Sequence, residues 1–201
     1  MRYPAKQKQE TRARLLAAAS MQFKKKGYVA TTIDELMQAI GLTGGAFYAH
    51  FDSKDAIFAE LIEKDLAWSR QLLGAQTAES REQWVTRVLD TYLSVAHVRN
   101  PELGCAIPAL AEDVARATPK VRRAFETSLL TLHQQWTPRF GSSDLAWSVL
   151  CQLVGAIVVT RAMDSKDVIE SVIQANKDQI RRVALPRSRA GKSRPERGEA
   201  P

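Results

Sequence analysis

Helix-start signals recur along the whole 201-residue chain, and no hairpin signal competes with them. Thr32 with Glu35 and Ser80 with Gln83 have the spacing of capping boxes. Ser53, Ser142 or Ser143, and Ser165 suit N-caps, and Thr118 precedes a proline at the first helical position. Between these starts the apolar residues return every three or four positions, as in Leu15, Leu16, Ala19 and Phe23, or Val168, Ile169, Val172, Ile173, Ile180 and Val183. The pattern predicts nine helices, over residues 6–26, 33–40, 44–50, 54–74, 81–97, 104–116, 119–137, 143–163 and 166–183, and an all-α fold. Pro108 falls in the first turn of the sixth, where a missing N–H costs little.

With 45% apolar residues the chain can bury enough surface to offset its conformational entropy, which excludes disorder throughout. Two cysteines do not make a disulfide scaffold, and His50, His97 and His133 lack metal-ligand spacing, so no metal or other cofactor is expected. A Gly-rich phosphate loop and a nucleophile elbow are both missing, and the carboxylates scatter as solvated charges, which argues against an enzyme. The first apolar cluster, Leu15 to Ala19, is too short for a signal-peptide core. The stretch Trp147 to Thr160 contains Ser148 and Gln152 and falls short of the roughly 18 apolar residues of a spanning helix. A cytoplasmic protein with reduced thiols and no membrane partner is expected.

Charge is uneven. Residues 1–50 carry eight basic and three acidic groups (+5), 51–100 six and eight (−2), 101–180 eight and nine (−1), and 181–201 seven and two (+5). A basic N-terminal fifty on a neutral body suggests a polyanion-binding module attached to something with another task. Residues 185–201, rich in Pro, Gly, Ser and Arg without apolar period, read as a basic disordered tail, either solvated or an auxiliary DNA contact. Lys24, Lys25 and Lys26 before Gly27 have two readings: cations favoured at a helix end, or groups that face phosphate.

The segment from Thr32 to Phe51 has the form of a helix-turn-helix. Leu36 and Ile40 lie one turn apart, Gly41 can end the first helix in the left-handed region, Leu42 plugs the corner, and Thr43 starts a second helix. Phe47 and Phe51 give that helix an inner face, leaving Gly44, Gly45, Ala46, Tyr48, Ala49 and His50 at its outer side or ends. So short a helix must be held by neighbours, which the first helix and Ile57, Phe58 and Leu61 of the fourth can supply. Thr32, Thr43 and Lys54 stand at helix N-termini suited to phosphate oxygens.

In order along the chain, Thr31-Thr32-Ile33, Glu35-Leu36, Ile40-Gly41-Leu42-Thr43, Phe47-Tyr48-Ala49-His50-Phe51 and Ser53-Lys54-Asp55 resemble the DNA-binding domain of tetracycline-repressor-type (TetR family) regulators, over residues 8 to 65. The resemblance implies phosphate contacts at Thr32, Thr43, Tyr48, His50 and Lys54, and groove-facing positions at Gly44, Gly45, Ala46 and Ala49. It implies a transcriptional repressor bound as a homodimer to a near-palindromic double-stranded DNA operator and released by a small-molecule effector. Met37 departs from the pattern, since a small residue often stands there. Because the glycines offer no side chain to a base edge, selection would lean on backbone approach, thymine methyls and DNA shape. Packing at the helix end is the other reading of Tyr48 and His50.

The division expected is a helix-turn-helix domain over 6–53 and a helical effector-binding and dimerisation domain over 54–184, with 54–74 connecting them. In that body Trp68, Leu72, Trp84, Val88, Tyr92, Ile107, Leu110, Phe125, Leu129, Leu132, His133 and Trp136 gather apolar and aromatic groups with a few polar handles. They read either as plain core or as a pocket for an apolar or aromatic effector. The eighth helix is apolar nearly all round, and Val149, Leu153, Gly155 and Ala156 with Val172 and Ile173 of the ninth are the expected dimer contacts. Cys105, after Gly104 at a helix start, could be a reactive thiolate, as in some TetR-like electrophile sensors. Two rival readings stand beside the effector-released repressor: redox sensing through Cys105, and an architectural DNA-binding protein without effector.

Overall fold

A computed structural model describes residues 5–185, so the tail expectation for 186–201 lies outside the described residues. Nine α-helices follow one another: α1 (Ala5–Lys26), α2 (Ile33–Gln38), α3 (Lys54–Leu73), α4 (Arg81–Tyr92), α5 (Val95–Arg99), α6 (Ile107–Ala115), α7 (Pro119–Phe140), α8 (Ser143–Arg161) and α9 (Lys166–Ala184). Two 3-10 helices, Gly44–Ala49 and Pro101–Leu103, complete the described residues, which contain no strand.

The starts are set by the residues that the spacing picked out. Thr32 and Glu35 form a reciprocal capping box on α2, as do Ser80 and Gln83 on α4. Ser53, Ser142 and Ser165 each accept a backbone N–H at the head of α3, α8 and α9. Gly27, Gly41 and Gly141 turn the chain at positive φ after α1, α2 and α7.

Three boundaries differ from the sequence expectation. The helix expected over 81–97 is two: α4 ends at Tyr92, and Ser94 turns outward to accept the His97 amide at 3.2 Å and starts α5. The helix expected from residue 104 begins at Ile107, because Pro101–Leu103 winds as 3-10 and Gly104 is extended. Helix α7 runs past Pro138 to Phe140; this proline sits in the last turn, where continuing for two residues costs less than in a helix interior.

Helix α3 is the spine. On one side it packs against α1, where Phe23, Phe58 and Tyr28 form an aromatic knot: Tyr28 stacks on Phe58 with ring centroids 4.4 Å apart, and Phe23 meets Phe58 edge-on at 5.6 Å. On the other side it packs against α7. Its C-terminal carbonyls are closed by α4: the Trp84 indole donates to Leu73 O at 2.9 Å, and Arg87 donates to Leu72 O and Gly74 O at 2.7 Å each. Arg87 also grips Glu79 and holds its carboxyl down to about 2.

Helix α8 lies against α5, α6, α7 and α9. At 19 residues it is long and apolar enough to cross a membrane by length and composition, contrary to the expectation from Trp147 to Thr160. Its apolar side chains divide between two faces. Val149, Leu150, Leu153, Ala156 and Ile157 are buried in the protein's own core, while Cys151, Gly155, Val158 and Val159 are exposed.

Candidate nucleic-acid interface and ligand cavity

The helix-turn-helix is anchored from within by Leu36, Met37, Phe47 and Phe51, all buried. Met37 fills the space where a small residue was the expectation from family resemblance; it is fully buried, and its carbonyl accepts the Leu42 amide at 2.9 Å to close the turn. Arg14 of α1 donates to the Ile40 carbonyl at 2.7 Å, and Arg12 pairs with Glu60 while lying 4.3 Å over the Phe51 ring. The pair of short elements is thus pinned to both long helices.

The second element is not the α-helix expected over 44–50. Gly44–Ala49 is a 3-10 helix, with Ala46 N bonded to Thr43 O and His50 N to Phe47 O. Six residues with two glycines at the start hold little intrinsic α preference, and the tighter winding suits short pieces. The three-residue period sorts its side chains. Gly44 and Phe47 share the inner row, where a Cβ on Gly44 would fall 1.9 Å from the Asp34 carboxylate of α2. Gly45 and Tyr48 share an outer row: Gly45 has open space around it and Tyr48 is 63% exposed. Ala49 is exposed and Ala46 half-buried.

Thr32 is exposed, its hydroxyl engaged in the capping box. Thr43 is exposed in extended conformation and makes no side-chain cap. Its expected capping role is replaced by a hydroxyl left facing outward. His50 is half-buried with Nδ1 enclosed and unpartnered; burial, then Lys8 and Arg12, push its pKa down, so the ring is neutral at pH 7. Lys54 is not a free surface cation. Its Nζ lies 4.3 Å over the Tyr28 ring, and burial lowers its pKa against the pull of Asp113 and Asp55. The lysine run divides as well: Lys24 turns inward to Asp65 at 3.2 Å and to Gly104 O at 3.1 Å, Lys26 pairs with Glu35 at 3.0 Å, and Lys25 is exposed.

The body contains a cavity of about 250 Å³ between α3, α4, α5 and the Pro101–Leu103 turn. Of the residues expected to form the effector pocket, Trp68, Leu72 and Tyr92 line it. The others do not. Trp84 and Trp136 meet edge-on with centroids 5.5 Å apart and pack with Phe140 around a void of about 10 Å³, too small for anything beyond one water. Ile107 and Leu110 are buried in the core, with Phe125 and Leu129 packed against it. His133 stacks on Trp147 at 4.1 Å and bonds the Ser143 carbonyl at 3.1 Å. These residues, with the buried Val88 and Leu132, belong to the core or pack against it, because a periodic apolar stripe is satisfied first by the protein's own helices.

His97, Leu103 and Gly104, which line the cavity, were absent from the sequence expectation. His97 Nδ1–H donates to the Tyr92 carbonyl at 2.7 Å, which leaves Nε2 to accept the Cys105 amide at 3.1 Å. Both nitrogens are used in the neutral form, and burial lowers the pKa further. The one available sequence signal was Ser94, a capping residue three positions before His97.

Cys105 is buried beside Ser69 and Tyr92. The expected thiolate at a helix start does not form, since burial pushes the thiol up and α6 begins two residues later. The dimer contacts also need correction: Val149, Leu153, Ala156 and Ile173 are buried in the chain's own core, whereas Gly155 is exposed and Val172 partly so. The outward face of α8 carries Cys151, Gly155, Val158 and Val159, spaced by four, three and one.

A family model described as "Bacterial regulatory proteins, tetR family" matches residues 15–61, which spans α1 from Leu15, the two short elements and the first part of α3. The uncharacterized HTH-type transcriptional regulator YdgC of Bacillus subtilis is 45% identical over 53 residues, 26% of this chain and 27% of that protein. The HTH-type transcriptional regulator TtgR of Pseudomonas putida is 38% identical over 55 residues, 27% and 26% of the two. These matches thus span about a quarter of the relatives' length. Similarity of fold extends much further. A TetR-family regulator from Agrobacterium tumefaciens superposes with a TM-score of 0.74 at 13% identity, covering 86% of this chain and 98% of that one. A putative transcriptional regulator from Saccharomonospora viridis, in complex with choline, does so at 0.71 and 18% identity, covering 86% and 96%. Residues 15–61 thus carry the sequence signature of the tetR-family DNA-binding module, and the all-α arrangement as a whole has the fold of these solved regulators.

Proposed function

We propose that the protein is a transcriptional repressor that binds a near-palindromic operator as a homodimer and leaves it when a small molecule occupies the body. The observation that carries the reading is the segment from Thr43 to Ala49, whose outer row of Gly45 and Tyr48 is exposed while Phe47 anchors it from beneath. A narrow, glycine-faced element of that kind fits a major groove. Thr32, Thr43, Tyr48, His50 and Lys54 would meet phosphate, and Gly45, Ala46 and Ala49 would face the groove, while Gly44, also expected there, turns inward to Asp34.

Dimerisation is supported by the exposed apolar side chains of the last two helices, Val158 (47%) and Val159 (52%) of α8 and Val168 of α9. A second copy is the fitting cover, because a two-fold axis beside α8 and α9 would bury one such patch against another. On this reading residues 6–53 serve DNA and 54–184 serve effector and partner, in the cytoplasm. Effector control is supported by the cavity and by two links between the body and the DNA-binding part, one of them at the cavity wall. Lys24 at the end of α1 holds the Gly104 carbonyl, and Asp113 of α6 accepts the Tyr28 amide at 3.0 Å.

Fluorescence anisotropy on the duplex upstream of the protein's own coding sequence tests the reading, with footprinting to locate the site. The expected result is a salt-dependent complex with two protected half-sites about 10 bp apart, or a multiple of that. No binding at low ionic strength would reject it.

A further inference from the structure

The peptide unit between Gly104 and Cys105 is held on both edges. Its carbonyl accepts the Lys24 ammonium from the last turn of α1 at 3.1 Å, and its N–H donates to His97 Nε2 of α5 at 3.1 Å. A peptide unit is planar and stiff, so whatever moves one edge moves the other. It is polarised as well, because an ammonium on the carbonyl oxygen strengthens the N–H as a donor. The fit leaves no room to spare: a Cβ on Gly104 would fall 2.3 Å from His97 Cδ2 and 2.5 Å from Nε2.

Both anchors are fixed from behind. Lys24, whose side chain is 7% exposed, pairs with Asp65 of α3 at 3.2 Å, and Asp65 accepts Ser20 Oγ of α1 at 2.7 Å. His97 gives its Nδ1–H to the Tyr92 carbonyl at 2.7 Å and meets the Tyr92 ring edge-on with centroids 4.6 Å apart. Its own carbonyl accepts Arg161 of α8 at 3.3 Å. Only a bare Nε2 can accept the Cys105 amide, so this arrangement requires the neutral imidazole. The charged groups around the ring come from every neighbouring element. Lys24 of α1 and Arg161 of α8 act on it directly, Asp65 sits beside Lys24, and Glu102 of the Pro101–Leu103 turn acts on Arg161. Arg99 of its own helix turns away to the Asp164 carbonyl at 3.2 Å. Burial keeps the Tyr92 hydroxyl and the Cys105 thiol protonated. Burial chiefly, then Arg161 and Lys24, hold the ring's pKa down against the pull of the Tyr92 carbonyl.

We propose that His97 is a positioning residue for DNA binding: by accepting the Cys105 amide it seats the Gly104–Cys105 peptide on Lys24, fixes the end of α1 and with it the helix-turn-helix, and gives up that seat when it takes a proton. The proton adds to Nε2, the amide is left facing an N–H, and the new charge meets Lys24 and Arg161 across a buried peptide. The inference rests on the repressor reading for the duplex it acts on.

Anisotropy on the upstream duplex at one salt concentration tests it, with His97→Leu, His97→Gln and Gly104→Ala beside the wild type. Leucine removes both ring bonds at similar volume. Glutamine offers Oε1 near the place of Nε2 and does not titrate, and alanine at 104 pushes the ring off the peptide without altering a polar group. At pH 7.5 His97→Leu and Gly104→Ala should bind about five- to 150-fold more weakly, the usual range of coupling between sites, and His97→Gln should recover most of that loss. Lowering the pH to 5.5 should weaken the wild type about fivefold or more beyond His97→Gln; His50 is common to both proteins and cancels in the comparison. Exchange of the Cys105 amide at pH 5.5 should be faster in the wild type than in His97→Gln. Circular dichroism checks folding at each pH, and where His97→Leu does not fold, the wild-type and His97→Gln profiles decide. Parallel pH profiles for those two, or a folded His97→Leu or Gly104→Ala that binds as the wild type does, would overturn the proposal and leave the repressor reading standing. No duplex binding by any of the four at low ionic strength would overturn both.

Discussion

Gly45→Ala should make the protein more stable and a poorer DNA binder. Gly45 is exposed, its φ lies outside the left-handed region, and a Cβ built there meets nothing within 4 Å. Adding a methyl therefore strains nothing, and the unfolded chain loses conformational freedom, which stabilises the fold by about 0.4–1 kcal/mol. For a chain of this size that raises Tm by roughly 1–4 °C. On the duplex the same methyl projects from the outer row, beside Tyr48, where the backbone must approach the groove. A steric misfit in a close-packed contact costs about 1–3 kcal/mol, which weakens binding about five- to 150-fold. Differential scanning fluorimetry and anisotropy at one fixed salt concentration read the two effects on one preparation. A lowered Tm, or an unchanged affinity, would refute the assignment of Gly45 to the groove face. Gly44→Ala is the contrast. Its Cβ would fall 1.9 Å from Asp34 Oδ1, so the exposed Asp34 side chain must turn aside, the gain in Tm seen at Gly45 should shrink or vanish, and Asp34→Ala should restore it.

Lys54→Ala should lower the slope of log K against log salt by about 0.9, the signature of one phosphate contact; an unchanged slope would leave Lys54 only its place over the Tyr28 ring. Acidification should destabilise the fold, because His97 and His50 have folded pKa values below their ordinary 6.5. Neutral imidazole is what the fold accommodates, so the native state is fully favoured above that pH and loses ground as pH falls through the lowered values. A melting temperature that fails to drop between pH 7.5 and 5.5, or a drop undiminished in His97→Gln, would count against the assigned tautomer. Val158→Asp should convert a dimer to a monomer in light scattering without unfolding it, since the side chain is 47% exposed in one chain. A dimer that persists would place the interface elsewhere.

The parts of the fold legible in the sequence are those governed by local chemistry. Thr32 with Glu35, Ser80 with Gln83, and Ser53 and Ser165 announce helix starts through bonds that span three residues, and each such bond is made. The break at Tyr92 was harder to see, because the apolar period continues through it. What ends α4 is Ser94 reaching forward and His97 reaching back to the Tyr92 carbonyl. The helix-turn-helix residues were legible as a motif, but the 3-10 winding was not, since Thr43 to His50 satisfies both periods. Periodicity also marks α8 as buried on more than one side without saying which side its own chain covers. Val149 and Val158 look alike until α7 and α9 are in place. The same limit hid the cavity: Tyr92 and Trp68 were visible as aromatic residues, yet only the packing of α3, α4 and α5 opens a space between them.

The Lys24 ammonium binds the carbonyl of Gly104 at 3.1 Å, at the edge of the cavity. A tether of this sort transmits in both directions. If occupancy of the body loosens the grip on DNA by some factor, thermodynamic reciprocity requires the duplex to weaken occupancy by that same factor. A dose–response curve recorded on the free protein would then overstate sensitivity, and the concentration that switches a gene would shift with the number of operator copies competing for the repressor.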